Sequence, residues 1–246
     1  MILKGKNCII TGASSGIGEA ISLAFASKGA NVAVCYKQNE SGADFVCDKI
    51  KSIGRKTLKI QADLAEESEI EKVALLACEY FSVIHVLVNC AGILDVSALD
   101  DLTQKKMQDL FNINLFAPLL LTKHISSHMK DNKIGGSIIN ISSTSFLKPS
   151  VGLCPYECSK AGVSTLTKGL ALELSPYKIR VNCIIPGLTI TNMTNQFIEA
   201  SDIGKFPLGR IGNTTDYAGP AIFLASEQSN WITGTSIVVD GGFSIK

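Results

Sequence analysis

Tyr156 and Lys160 stand four residues apart in Tyr156-Glu157-Cys158-Ser159-Lys160. On a helix that spacing puts both side chains on one face. A phenol and an ammonium side by side suit proton exchange. A free tyrosine, with a pKa of about 10, is only about 0.1% ionised at neutral pH, and making it a base there asks for about 4 kcal/mol. A neighbouring cation favours the phenolate. The same four-residue spacing is common on ordinary helix surfaces, so it needs company. Ser143 lies thirteen residues earlier, at the end of a candidate strand. Its hydroxyl could hold a substrate oxygen while Tyr156 exchanges the proton, although a serine there also serves as a plain turn residue. Asn114, in Phe111-Asn112-Ile113-Asn114-Leu115, interrupts an otherwise apolar helical pattern. A buried amide needs a partner. Ordering a water near Lys160 and satisfying a core contact both fit.

A second set suits a dinucleotide. Thr11-Gly12-Ala13-Ser14-Ser15-Gly16-Ile17-Gly18 follows a candidate strand and opens a helix. Glycines let the backbone turn tightly and approach a pyrophosphate, which the helix N-terminus then faces with free N–H groups. The spacing is G-x-x-x-G-x-G, not the commoner G-x-G-x-x-G. Ser14 and Ser15 could add hydrogen bonds to phosphate. The next strand ends Val34-Cys35-Tyr36-Lys37-Gln38-Asn39, with no carboxylate before Glu40. A carboxylate there would select the ribose hydroxyls of NAD and repel a 2′-phosphate. Tyr36 and the cation of Lys37 instead favour NADP(H), with NAD(H) possible. Asp63, in Ala62-Asp63-Leu64, could meet the adenine amino group or cap the helix near Glu66. Asn89-Cys90-Ala91-Gly92 ends the fourth strand with small residues against which a cofactor could lie.

Elements must position these groups. Strands are expected at Asn7–Thr11, Asn31–Tyr36, Thr57–Gln61, Val83–Asn89, Ser137–Ser142, Arg180–Ile185 and Ser236–Val239. They are continuous apolar runs, suited to burial on both faces. Helical patterns lie between them, among them Gly16–Lys28, Ser41–Ile53, Glu66–Tyr80, Thr103–Met129 and Cys158–Leu174. The alternation predicts an α/β fold: one Rossmann-type, doubly wound domain spanning 1–246, its seven-stranded parallel sheet covered by helices on both faces. Residues 188–213 hold neither a firm strand nor a long helix and read as a substrate lid.

Bulk properties narrow the function classes. With 23 basic and 22 acidic residues and 46% hydrophobic residues, neither nucleic acid nor an anionic membrane is an expected partner. The densest apolar run, Leu115–Leu121, is interrupted by Pro118, well short of the roughly 18 residues of a membrane span. Met1–Thr11 lacks the layout of a secretion signal. The eight cysteines include no C-x-x-C pair and read as reduced thiols. No metal-ligand cluster is visible, and the expected setting is cytoplasmic.

T-G-x-x-x-G-x-G, N-x-A-G, Asn114, Ser143, Y-x-x-x-K and Pro186-Gly187 occur in this order. Together they resemble the short-chain dehydrogenase/reductase family, over a stretch from about Lys4 to Val239-Asp240-Gly241-Gly242. The resemblance implies that Tyr156 is the general acid/base, that Lys160 assists it and binds the nicotinamide ribose, that Ser143 orients the carbonyl, and that Asn114 anchors a relay water. It implies that Gly12, Gly16, Ile17 and Gly18 cradle the cofactor, that Asp63 and Leu64 contact adenine, and that Asn89, Ala91 and Gly92 line the adenosine-ribose side. Pro186, Gly187 and Thr189 would sit against the nicotinamide. Hydride transfer between cofactor and carbonyl carbon would interconvert a small-molecule carbonyl and a secondary alcohol. The family also implies a homotetramer packed through Thr103–Met129 and Cys158–Leu174. Two departures stand out: Cys90 replaces the second asparagine of N-N-A-G, and Ser15 replaces the arginine of many NADP-preferring members.

The general likeness is to 3-oxoacyl-carrier-protein reductases and to glucose- or polyol-type dehydrogenases. Tyr177 takes the place of one arginine by which the former meet their carrier, and Lys130, Lys133 and Ile134 occupy the region of the other. Carrier-protein reduction is therefore the alternative reading, and a non-catalytic NADP(H)-binding scaffold or sensor is a third. Expected pocket residues are Leu94, Ser145, Leu147, Leu153, Cys154, Leu188, Met193 and Phe197, an apolar set favouring a neutral carbonyl compound.

Overall fold

Apolar runs too short for helices pair into one parallel sheet. The computed structural model describes residues 1–246 except the side chains of Ala200 and Ser201. The strands are β1 (Asn7–Ile10), β2 (Asn31–Tyr36), β3 (Thr57–Gln61), β4 (Val86–Asn89), β5 (Gly136–Ile141), β6 (Ile179–Pro186) and β7 (Ser236–Val239). Their order is β3-β2-β1-β4-β5-β6-β7, and every neighbouring pair is parallel. The helices are α1 (Gly16–Ser27), α2 (Glu40–Ser52), α3 (Glu67–Phe81), α4 (Gln104–Phe111), α5 (Ala117–Asp131), α6 (Cys154–Leu174) and α7 (Ala218–Ala225).

Successive strand residues face opposite sides. Ile10 and Val34 join a core with Phe25 of α1, Ile50 of α2 and Leu224 of α7. Ile9 and Ala33 join another with Val73 of α3, Leu121 of α5 and Leu174 of α6. Helices therefore cover both faces. Strand order reverses between β1 and β4, which opens a crevice at their carboxyl ends.

Three elements differ from the expectation by more than one residue. The helix expected over Thr103–Met129 is α4, a π-helical turn at Asn112–Phe116, and α5. In that turn the N–H of Ala117 donates to Asn112 O, five residues back rather than four. Pro118, with no N–H, follows it. The helix expected from Cys158 begins at Cys154, because Pro155 fits a first helical turn. The strand expected from Val83 begins at Val86. The Asn7 amide Nδ2 instead donates to Val83 O at 2.7 Å.

Between β6 and α7 the 188–213 segment forms a loop with short single turns. Its feet are tied: Ile190 N–H donates to Gly212 O at 3.0 Å and Gly212 N–H to Leu188 O at 3.1 Å. Phe206 is buried and stacks on Phe243 at 5.3 Å between centroids.

Candidate active site

The early start of α6 places Tyr156 in its first turn and Lys160 one turn on. Lys160 is only 5% exposed. Its Nζ donates to Ile141 O at 3.1 Å and stands 5.7 Å from the Tyr156 ring centroid. Ser142 Oγ donates to Lys160 O at 2.7 Å, which pins this turn of α6 to the end of β5. Ser143 follows. Its Oγ accepts the Ser145 N–H at 3.2 Å, which leaves its own proton free to donate to a substrate oxygen.

Asn114 is buried in the π-helical turn. Its Oδ1 accepts the Ile93 N–H at 2.8 Å, and its Nδ2 donates to Ile93 O at 3.0 Å and to Ser159 Oγ at 3.1 Å. The side chain is thus fully engaged. Its backbone carbonyl lacks the amide partner that residue 118 would give in a regular helix, because residue 118 is proline. Gly92 keeps the space between the Asn114 side chain and Lys160 open: a Cβ there would lie 3.2 Å from Asn114 Oδ1 and 3.4 Å from Lys160 Nζ.

The glycine turn fits a dinucleotide. Gly12 has φ +64°, and a Cβ on it would meet Ala91 Cα at 2.9 Å; one on Gly18 would meet Gly12 O at 2.3 Å. Ser15 precedes α1 without a capping side-chain bond, so the first N–H groups of the helix remain available to an anion. Thr11 Oγ1 accepts the N–H groups of Cys90 and Ala91 at 2.9 and 3.0 Å, which fixes the turn after β4.

A cavity of about 540 Å³ joins these parts. Gly12, Ser15, Gly16, Ile17, Gly18, Ala91, Gly92, Ser143, Tyr156, Lys160, Pro186, Gly187 and Thr189 line it. Of the expected pocket residues, Leu94, Ser145, Leu153, Leu188, Met193 and Phe197 are on its wall, while Leu147 and Cys154 are not. Those two turn outward and are exposed. Ser145 Oγ is buried with no hydrogen-bond partner among the described residues.

The other expected cofactor residues lie outside this cavity. Ser14 is buried, and its carbonyl accepts Asn39 Nδ2 at 2.9 Å. Tyr36 is buried with its hydroxyl donating to Glu40 Oε1 at 3.4 Å. Leu64 packs in the core. Asn89 points beneath the sheet, where Nδ2 donates to Asn140 Oδ1 at 2.9 Å and Thr122 Oγ1 at 3.2 Å. Lys37 and Asp63 meet each other: Nζ and Oδ2 are 2.7 Å apart, with side chains 49% and 36% exposed. Burial pushes the Asp63 carboxyl up, but Lys37 and the Ala65 N–H outweigh it and hold the group below its ordinary range.

Thr189 shows its backbone rather than its hydroxyl to the cavity. Its Oγ1 donates to Gly187 O at 2.8 Å and also bonds the Tyr217 hydroxyl. Tyr217 is buried, and burial raises its phenol to about 12. Thr191, which the sequence reading passed over, lines the cavity and faces the glycine turn, its Cγ2 3.6 Å from where a Gly16 Cβ would stand. The alternation Thr189-Ile190-Thr191 after Pro186-Gly187 was the available signal. Among the described residues no group of three or more histidine, cysteine or acidic side chains could hold a metal.

Known proteins resemble this chain over nearly its whole length. A family model described as enoyl-(acyl carrier protein) reductase matches residues 12–244. An uncharacterized oxidoreductase of Methylorubrum extorquens is 38% identical over 98% of both chains. Glucose 1-dehydrogenase 2 of Bacillus subtilis is 34% identical over 99% of this chain and 96% of its own. A short-chain dehydrogenase/reductase from Mycobacterium marinum superposes with a TM-score of 0.95 at 34% identity, covering 99% of this chain and 97% of that one. The chain therefore belongs to the short-chain dehydrogenase/reductase family and is an NAD(P)-dependent oxidoreductase acting between alcohols and carbonyls.

Proposed function

We propose that the chain is an NADP(H)-linked reductase/dehydrogenase for a neutral small-molecule carbonyl or secondary alcohol, with Tyr156 as general acid and base. One observation carries this reading: Ser143, Tyr156 and Lys160 share the wall of a single cavity with the glycine turn. A bound nicotinamide dinucleotide supplies the hydride, or accepts it. Ser143 donates a hydrogen bond to the carbonyl oxygen and orients it. Tyr156 gives its proton to that oxygen in reduction and takes it back in oxidation. Lys160 stands within electrostatic reach of charge developing on the phenol oxygen. The backbone carbonyl of Asn114 holds a water near Lys160, by which the proton is replaced. The glycine turn and the start of α1 bind the pyrophosphate, and Pro186, Gly187, Thr189 and Thr191 hold the nicotinamide side.

Lys37 supports the NADP(H) preference. Lys59, the neighbouring cation, is already paired with Glu40 and Asp44 at 3.0 and 2.6 Å. A 2′-phosphate would draw Lys37 from Asp63. The mostly apolar cavity supports a neutral substrate, and the unpartnered Ser145 hydroxyl supports one bearing a second oxygen near the carbonyl. The carrier-protein alternative is weakened further. Lys130 Nζ sits 4.6 Å over the Tyr177 ring, so the residue at one arginine position packs against a lysine from the region of the other. The free, unpaired cysteines support a cytosolic setting. The whole chain acts as one domain, with 188–213 as the lid. Exposed Phe116, Leu119 and Leu172 on α5, α6 and the turn between α4 and α5 support a homotetramer built on those helices.

The test follows consumption of reduced nicotinamide with NADPH and with NADH across small ketones, hydroxyketones, sugars and acetoacetyl-CoA, with Tyr156→Phe as control. Turnover of a neutral ketone or hydroxyketone that vanishes in the mutant supports the reading. Turnover restricted to acetoacetyl-CoA moves it to acyl-thioester reduction. NADPH binding without turnover of any carbonyl moves it to the scaffold.

A further inference from the structure

A second cavity, of about 580 Å³, opens at the other end of the sheet, where β1, β5 and β6 begin. Strands of this length put it about 20 Å from the active-site end. Lys6, Lys178 and Arg180 line it, against Glu227 as the one carboxylate among its described lining residues. Lys6 reaches Glu227 at 3.1 Å. Arg180 is not paired with an acid there. Its guanidinium donates to Leu224 O at 2.8 Å, Ser226 O at 3.2 Å and Ile232 O at 3.4 Å. Lys6 and Arg180 are partly buried and Lys178 is exposed, so an anion entering the cavity would meet three cations against one carboxylate. His85 also lines the cavity; its Nδ1 accepts the Asn7 N–H at 3.0 Å, so Nε2 carries the proton of the neutral ring and can donate. At the rim stands Trp231, 97% exposed and the single tryptophan of the chain. An indole face in water beside clustered cations offers a flat ring a place to stack.

We propose that this cavity binds a small aromatic phosphate monoester, its phosphate against Lys6, Lys178 and Arg180 and its ring on Trp231. The site is separate from the hydride-transfer site and does not depend on the substrate assigned to that site. Arginine and lysine donors suit a phosphate, and charge-assisted hydrogen bonds of this kind are about twice as strong as neutral ones.

Trp231 is also the reporter. The whole protein, saturated with NADP⁺ to occupy the active site, is titrated with phenyl phosphate while tryptophan fluorescence is read. A saturable change is expected, with inorganic phosphate and phenol each binding at least about tenfold more weakly, because each keeps only half of the contacts. Lys178→Asn suits the left-handed backbone at that position, φ 60°, and Lys6→Gln is an independent second variant. Each should weaken phenyl phosphate about tenfold and leave carbonyl reduction unchanged. No saturable change, or equal binding by the wild type and both variants, would overturn the site. Equal affinity for inorganic phosphate would overturn the ring contact. A fluorescence change that follows protein concentration instead of ligand would overturn it in favour of a second copy of the chain covering this end.

Discussion

In the proposed mechanism Ser143 holds and Tyr156 protonates one oxygen; the Ser143 Oγ accepts the Ser145 N–H and keeps its own proton to donate. Tyr156→Phe keeps the ring and removes the proton. Turnover should fall by about 10²–10⁴-fold while NADPH affinity, measured by titration, stays within twofold (about 0.4 kcal/mol). On the proposed NADP(H) reading, the ion pair of Lys37 and Asp63 would set a carboxylate and a 2′-phosphate in competition for one ammonium. Lys37→Ala should weaken NADPH by about tenfold, the scale of a charge-assisted hydrogen bond, and leave NADH nearly unchanged. Asp63→Asn should move the ratio of NADPH to NADH affinity the other way. Equal losses for both cofactors in Lys37→Ala would show that the lysine does not read the phosphate. Ser145→Ala should raise KM for a hydroxyketone more than for the ketone lacking the hydroxyl, because only the former can use the buried Oγ.

The π-helical turn between α4 and α5 is the element on which the proposed proton supply rests. Pro118 withholds an N–H from the Asn114 carbonyl, which stays available to another donor. Pro118→Ala restores that donor and allows a regular helix. An approximately tenfold fall in kcat is expected, the scale of a lost positioned contact, with cofactor affinity and helix content by circular dichroism unchanged. An unchanged kcat would place the relay elsewhere. A continuous helix over Thr103–Met129 was the natural expectation because apolar spacing runs through the break. Periodicity reports which face is buried, and one extra residue in a turn barely alters it. Pro118 was the visible signal, read as an interruption of hydropathy and not as a missing donor.

At the scale of the molecule the 188–213 segment is held to the rest by charge as well as by its feet. Arg210 donates to both carboxylate oxygens of Asp216 at 2.7 and 2.8 Å. That guanidinium holds the Asp216 carboxyl below its ordinary 3.8, against the opposing effect of burial. The folded state thus binds the proton less readily than the unfolded one. The pair's contribution is fully present above the ordinary carboxylate range and is lost as pH falls through the lowered value. Arg210→Met should lower Tm at about pH 7, and the gap to wild type should close towards about pH 2 in a thermal melt series. A gap independent of pH would assign the loss to packing. Sedimentation tests the assembly: a tetramer is expected, and Leu172→Glu, which charges an exposed apolar site, should shift it to smaller species.

The sequence by itself determined the order of strands and helices, the parallel sheet, the glycine turn and the Tyr156–Lys160 pair. Each depends on neighbours along the chain: apolar runs, turn residues, or groups one helical turn apart. The tertiary structure alone decided which distant groups meet. It buried Asn89 under the sheet beside Asn140, engaged Asn114 with Ile93 and Ser159, and tied Thr189 to Tyr217. It also joined Lys37 to Asp63 and gathered Lys6, Lys178 and Arg180 at one end of the sheet. Lys178 and Arg180 aside, those partners are 21 to 174 positions apart, and a side chain's partner follows from strand register and helix packing, which no local pattern encodes.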